Sequence, residues 1–208
     1  MWRSLQVTAS ALVISAAVGV PAGTWLALTR FRGQRVLNAL IYTGMGLPPV
    51  VVGLVVYLFL SNSGPFGDLG WLFSIKAMVV AQVIIATPLV IGVTMSSVRA
   101  VDPALRVQLR ALGATPWQAT AAALIEARFG VIVGLVAGFG SIISEVGAVM
   151  LVGGNIDGRT RVLTTAVVLE TRRGNFDVAL ALGIILLTLS FVANLIMVLG
   201  QGKLAESP

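Results

Sequence analysis

Few side chains in this sequence could do chemistry, and their types exclude more than they invite. Histidine and cysteine are both absent. That removes the commonest general base, the commonest metal ligand, thiol catalysis and any disulfide frame. Serine and threonine are plentiful, but no imidazole is present to activate one. No G-x-x-x-x-G-K-[ST] loop occurs, so ATP is not bound and hydrolysed by that route. No carboxylate cluster has metal-ligand spacing. Catalytic residues, cofactors and metals are therefore not expected. Two features remain. Glu145 is an isolated carboxylate in an apolar run, and an acid inside a membrane is a functional candidate by default; the alternative is a structural Glu bonded to a neighbouring backbone or hydroxyl group. Arg106 and Arg110 lie four apart on one helix face. They either meet a partner or form a solvated basic face.

The Arg pair sits in the longest interruption of an otherwise apolar chain, Val98 to Arg128. Asp102-Pro103 starts a helix, with a side-chain acceptor at the cap and Pro at the first helical position. Gly113 supplies the stop. Thr115-Pro116 repeats the start signal, and a second helix runs from Trp117 towards Glu126. The stretch reads as helix, tight turn, helix.

The elements that position this hairpin are membrane spans. Of 208 residues, 57% are hydrophobic and 11% charged, less than half the charge of an ordinary soluble domain. The apolar runs are too many to hide in one core of this length. The fold class is an all-α, polytopic membrane protein, a single membrane domain over residues 1–208. Five transmembrane helices are expected, at about 5–28, 36–60, 75–98, 129–152 and 178–200. The basic stop Arg30, Arg32, Arg35 places the N-terminus outside and the C-terminus in the cytoplasm. The hairpin, 99–128, is then cytoplasmic and 153–177 is an outer loop. The first run is too long for an ordinary signal peptide, and cleavage is not expected. The net charge of +6 does not call for nucleic acid, because Arg beside spans sets orientation.

Within the spans, Leu47-Pro48-Pro49 breaks the second and frees the carbonyls near Gly44 and Met45, as a static kink or a hinge. Thr87-Pro88 predicts a kink in the third. Gly130, Gly134 and Gly138, and again Gly140, Ser144 and Ala148, put small residues four apart. They mark packing faces within the subunit or across a dimer. The segment 161–171 is too short to span and is expected as a short helix or re-entrant piece. This topology leaves eight basic residues inside and six outside. The outer Arg159, Arg161, Arg172 and Arg173 need a reason, which an outer surface receiving an anion or its carrier supplies.

The run RALGATPWQA, about thirty residues ahead of SEVGA, resembles the cytoplasmic coupling loop of type I ABC importer permeases. Gly113 matches that loop's glycine. Its Glu-Ala-Ala start falls on Val107, Gln108 and Leu109, and its terminal Pro on Glu126, so the motif is degenerate. TRFRGQR, LPPVVVG and SEVGAVMLVGGNI are similar to the molybdate/tungstate/sulfate branch. The stretch GRTRVLTTAVVLETRRGNFDVALALG is most similar to tungstate permeases. The likeness runs from about Leu5 to Leu199. One departure is the short segment ahead of the first span, where many relatives carry an amphipathic lead-in.

The resemblance implies a homodimer in the cell membrane of a prokaryote, multi-pass and bathed in lipid. It implies a cytoplasmic ABC ATPase subunit, and an extracytoplasmic oxyanion-binding protein that delivers the cargo, most simply tungstate. Coupling residues would be Arg106, Arg110, Gly113, Ala114, Thr115 and Trp117. A dianion needs N–H and O–H donors, which nominates Ser141, Ser144, Gly153, Gly154, Asn155, Thr164 and Thr165 for the pathway, with Glu145 as gate or structural group. Arg159, Arg161, Arg172 and Arg173 would dock the binding protein. Other readings left open are an ion-coupled secondary transporter using Glu145, a molybdate or sulfate importer, and a purely structural subunit.

Overall fold

The computed structural model describes residues 2–205. The C-terminal residues beyond Ala205, expected in the cytoplasm, lie outside the described residues. The first helix, α1 (Trp2–Leu28), packs along α4 (Ile75–Arg99). Small residues make this possible. A methyl group added at Gly19 would come within 2.8 Å of Val90, and one at Gly23 within 2.7 Å of the Ile91 carbonyl. Ala11 and Ser15 continue the same four-residue spacing and are fully buried. Close backbone approach of this kind is how helices associate where lipid is as apolar as the side chains. Partners rise in number together along α1 and α4, so the two run parallel.

Between them, α2 (Gln34–Met45) and α3 (Pro49–Leu60) form the expected second span, but it is not one helix. They meet at 101°. The two prolines remove N–H groups that would have bonded across the break. One part of the expectation fails: the Gly44 carbonyl is not left bare, because Leu47 N–H donates to it at 3.3 Å. Gly44 also lies against Pro88, 2.9 Å from where its Cβ would be. Pro88 stands inside the continuous α4.

The hairpin follows, as α5 (Pro103–Ala111) and α6 (Pro116–Glu126). Then come α7 (Arg128–Ile143) and α8 (Gly147–Gly153). The bend between α6 and α7 is 63°. The expected fourth span, 129–152, is thus a sixteen-residue helix of about 24 Å at 1.5 Å per residue, broken at Ser144–Val146 and completed by α8. Gly130 faces Ser97, Gly134 faces Val93 and Gly138 faces Val90. These glycines therefore pack within the subunit, antiparallel to α4. The second small-residue set does not form one face. A Cβ at Gly140 would meet nothing within 4 Å, whereas Ala148 packs so closely on Gly53 of α3 that a Cβ added at Gly53 would come within 2.5 Å of the Ala148 Cα.

A short helix, α9 (Leu163–Arg172), leads into α10 (Phe176–Ala205). The expected fifth span thus begins two residues earlier than periodicity placed it and runs further. Leu180, Leu187, Phe191 and Ile196 on α10 are exposed. The main core lies between α1, α3, α4 and the α7–α8 break, around Ala11, Val56, Met78, Ala81, Ile142 and Val149. A smaller cluster of Leu26, Ile41 and Met95 closes the hairpin end. Among the described residues, three single helices are long and apolar enough to cross a membrane, or up to five spans if each bent pair is one.

Candidate functional site

The hairpin is built as its caps require. Asp102 Oδ1 accepts from Ala104 N–H at 2.8 Å. Thr115 and Gln118 form a reciprocal capping box, with Gln118 Oε1 accepting from Thr115 N–H at 2.8 Å and Thr115 Oγ1 from Gln118 N–H at 3.3 Å. Between them, Gly113 has φ +91°. Ala114 N–H reaches back to the Leu109 carbonyl at 3.0 Å, and Gly113 N–H to that of Arg110 at 3.1 Å. That is a Schellman closure, which needs a left-handed residue at the glycine position. The turn is therefore fixed before any partner arrives.

What the turn presents is apolar. Leu112 is 85% exposed and Trp117 78%; Val107 on α5 is exposed as well. Large exposed apolar side chains clustered on a short polar hairpin mark a contact surface. Trp117 was expected there. Leu112 and Val107 were not among the expected coupling residues, and their placement opposite polar positions of α5 was the signal available. The two Arg residues diverge. Arg110 is exposed, while Arg106 is half-buried, lines a cavity between the hairpin and the ends of α1 and α4, and has its Nε shut off without a partner.

The opposite end carries the Arg residues expected to dock the binding protein. Arg161 pairs with Asp157 at 3.0 Å, and Arg173 with Glu170 at 2.9 Å. Asn175 Nδ2 donates to Glu170 Oε2 at 2.7 Å. That hydrogen bond, with the neighbouring Arg173 charge, holds the Glu170 carboxyl below the usual carboxylate range. Arg172 is exposed and, among the described residues, has no ion pair. Arg159 joins Arg3 and Lys76 around a cavity of about 420 Å³, with no carboxylate among the described residues that line it. Lys76 also sits 5.3 Å over the Trp71 ring. Arg3 and Lys76 were counted outside but not nominated. Only folding brings positions 3, 76 and 159 together.

The pathway candidates separate. Ser141 and Ser144 are exposed, in line with Val133 and Ala137 along the free face of α7. Ser144 Oγ turns back to the Gly140 carbonyl at 2.8 Å. Glu145 sits in the α7–α8 break, and its Oε1 accepts from Ala148 N–H at 3.0 Å. Thr164 Oγ1 donates to the Glu145 carbonyl at 3.0 Å. Gly153 is buried against Met78, and Thr165 bonds its own cap residue, Val162. Gly154 and Asn155 form a left-handed corner at φ 71° and 50°. Gly153 and Thr165 therefore face the packed interior, and Gly154 lies over the Phe73 ring.

One polar residue went unnoticed in the sequence. Gln82 is 96% buried in α4, and its Nε2 donates to the Ile142 carbonyl at 2.9 Å. It ties the last turn of α7 to α4, beside the break that holds Glu145. Isolated polar residues in an apolar span are costly, and that was the available clue. Among the described residues, no group of His, Cys, Asp and Glu could hold a metal.

The family described as the inner membrane component of binding-protein-dependent transport systems matches residues 19–204. A probable anion ABC transporter permease of Haloferax volcanii is 43% identical, covering 92% of this chain and 84% of its own. The tungstate uptake system permease TupB of Peptoclostridium acidaminophilum is 37% identical over 95% of this chain and 86% of its own. The molybdenum transport permease ModB of Azotobacter vinelandii is 29% identical, over 79% and 76%. An inward-facing structure of the MetNI methionine ABC transporter superposes with a TM-score of 0.72, covering 93% of this chain and 90% of that one, at 18% identity.

Proposed function

The chain belongs to the family of binding-protein-dependent transport inner membrane components, and from that premise we propose that it is the permease of a tungstate importer. It is a multi-pass membrane subunit with the type I ABC importer fold, and it works with an ATPase and a binding protein. The observation that carries the coupling assignment is the preformed hairpin, with its left-handed Gly113 and exposed Leu112 and Trp117. A rigid turn that projects apolar side chains suits insertion into a cleft on a partner. The hairpin faces the cytoplasm and seats on the ATPase through Gly113, Ala114, Thr115 and Trp117, with Arg110 meeting acidic groups at the rim. Hydrolysis belongs to that partner.

Two copies enclose the pathway, with the exposed Ser141 and Ser144 stripe of α7 facing it. The Ser141 hydroxyl can donate to an oxyanion as it passes, while that of Ser144 is spent on the Gly140 carbonyl. Glu145 is committed to the α8 cap and acts as a structural hinge at the break. The unpaired Arg172, with Arg159, Lys76 and Arg3, receives the acidic rim of the binding protein. Tungstate rather than molybdate is supported by the higher identity to the tungstate permease.

The test is ATP hydrolysis by the reconstituted complex of this chain, its ATPase and its binding protein, with tungstate, molybdate and sulfate added in turn. Stimulation by tungstate well above the others is expected. Equal stimulation by molybdate would move the selectivity to the wider oxyanion group, and no stimulation in an intact complex would overturn the assignment.

A further inference from the structure

Arg106 does not share the exposed fate of Arg110, four residues on. It lines a cavity of about 470 Å³ between the hairpin and the membrane helices, together with Arg30, Arg99 and Gln34. These groups come from three places in the chain: the α1–α2 turn, the end of α4 and α5. Arg99 Nη2 donates to the Leu26 carbonyl at 3.3 Å. Gln34 Nε2 is spent on the Leu26 and Thr29 carbonyls, which fixes the wall. The one acid in the lining, Asp102, has Oδ1 engaged by Ala104 N–H. Among the described residues, none of the three guanidinium groups pairs with a carboxylate, and Arg106 Nε is closed off from solvent with no acceptor.

A basic rim alone is what membrane orientation requires. An enclosed guanidinium N–H without an acceptor is not. Burying such a donor unsatisfied is destabilising, and an oxyanion is the acceptor that planar guanidinium groups fit best. We propose that this cavity binds a phosphate group, held by Arg30, Arg99 and Arg106, so that an anionic ligand joins the hairpin to the membrane helices. The same chemistry is offered by an anionic phospholipid headgroup and by free phosphate. The site is separate from the transport pathway and does not depend on which oxyanion is carried.

The test uses the permease–ATPase complex in neutral detergent. One arm measures retention of phosphatidylglycerol by native mass spectrometry, with phosphatidylcholine as reference. The other measures the rise in Tm on adding inorganic phosphate. Wild type is compared with R106Q, R30Q and R110Q, each removing one charge. R30Q tests the site at an exposed turn residue whose loss threatens folding least. A several-fold fall in phosphatidylglycerol retention in R106Q and R30Q, absent in R110Q, supports a lipid headgroup. A phosphate-dependent Tm rise lost in R106Q and R30Q but kept in R110Q supports a free anion. If R30Q, R106Q and R110Q behave alike in both arms, only total charge matters and the site is overturned. If wild type responds to neither probe, it is overturned equally.

Discussion

Gly113 shows how much a single residue settles. At φ +91° it has open space around its Cβ position, so substitution there costs backbone strain and not a clash. The left-handed conformation costs an ordinary L-residue about 1–2 kcal/mol, while Asn tolerates it better. G113L should therefore uncouple, with uptake per ATP hydrolysed falling several-fold, and G113N should keep most of it. Normal coupling in G113L would count against the hairpin's role. Glu145 gives the opposite lesson. Its contact is a cap on Ala148 N–H, which the amide oxygen of Gln can also make. E145Q should keep ATP-dependent uptake within about twofold, as expected when only a hydrogen bond of ordinary strength is perturbed. Uptake that persists without the ATPase in wild type and vanishes in E145Q would return the secondary-transporter reading. At Glu170 the folded pKa is lowered, first by the Asn175 hydrogen bond. Its stabilising effect is thus present above the ordinary carboxylate pKa and is lost as pH falls through the lowered folded value. Amide exchange at the α9–α10 junction should accelerate only on acidification below the ordinary range, and N175A should move that onset to higher pH.

At the scale of elements, the two broken spans explain each other. The α2–α3 break and the α7–α8 break meet where Gly53 clasps Ala148 and Gly147 meets Val50. Non-helical backbone at membrane depth persists only against protein or a wet cavity, and each break is the other's protein neighbour. A methyl group at Gly53 has nowhere to go, since its nearest contact is backbone. G53A should lower the Tm of the complex by several degrees, in line with overpacking costs of about 1–3 kcal/mol. G140A meets nothing within 4 Å and should not lower it. Equal loss in both variants would mean that the α3–α8 contact is not a main support. The break at Pro48 was legible from two consecutive prolines. The break at Ser144 was not, because no proline marks it. It depends on Glu145 capping α8 locally and on Gln82 holding the Ile142 carbonyl from sixty residues away, a neighbour that no local spacing reveals.

For the whole molecule, charge is sorted by folding. Of the four Arg residues expected to dock the binding protein, Arg161 and Arg173 are held by Asp157 and Glu170. Among the described residues, Arg159 and Arg172 have no carboxylate partner. Rim charges act chiefly on association and are screened by salt. R172E should raise the binding-protein concentration needed for half-maximal ATPase stimulation by about tenfold at low salt, the factor that 1.4 kcal/mol represents. R173Q should change it far less. Equal effects of the two would show that the local ion pair is irrelevant to docking. The apolar face of α10, through Leu180, Leu187 and Phe191, is exposed.

The sequence by itself determined the class, the helix boundaries with strong punctuation and the hairpin. Apolar run length, Asp-Pro, Thr-Pro and Gly act locally, through backbone hydrogen bonds within a few residues. The small residues Ala11, Ser15, Gly19 and Gly23 of α1 stand four apart, and it is folding that sets them against α4. Only the tertiary structure decided which small residues face a neighbour, which basic residues stay unpaired, and why Arg106 and Arg110 part company. Those outcomes depend on what stands opposite a side chain. That neighbour comes from elsewhere in the chain, and no local spacing encodes it.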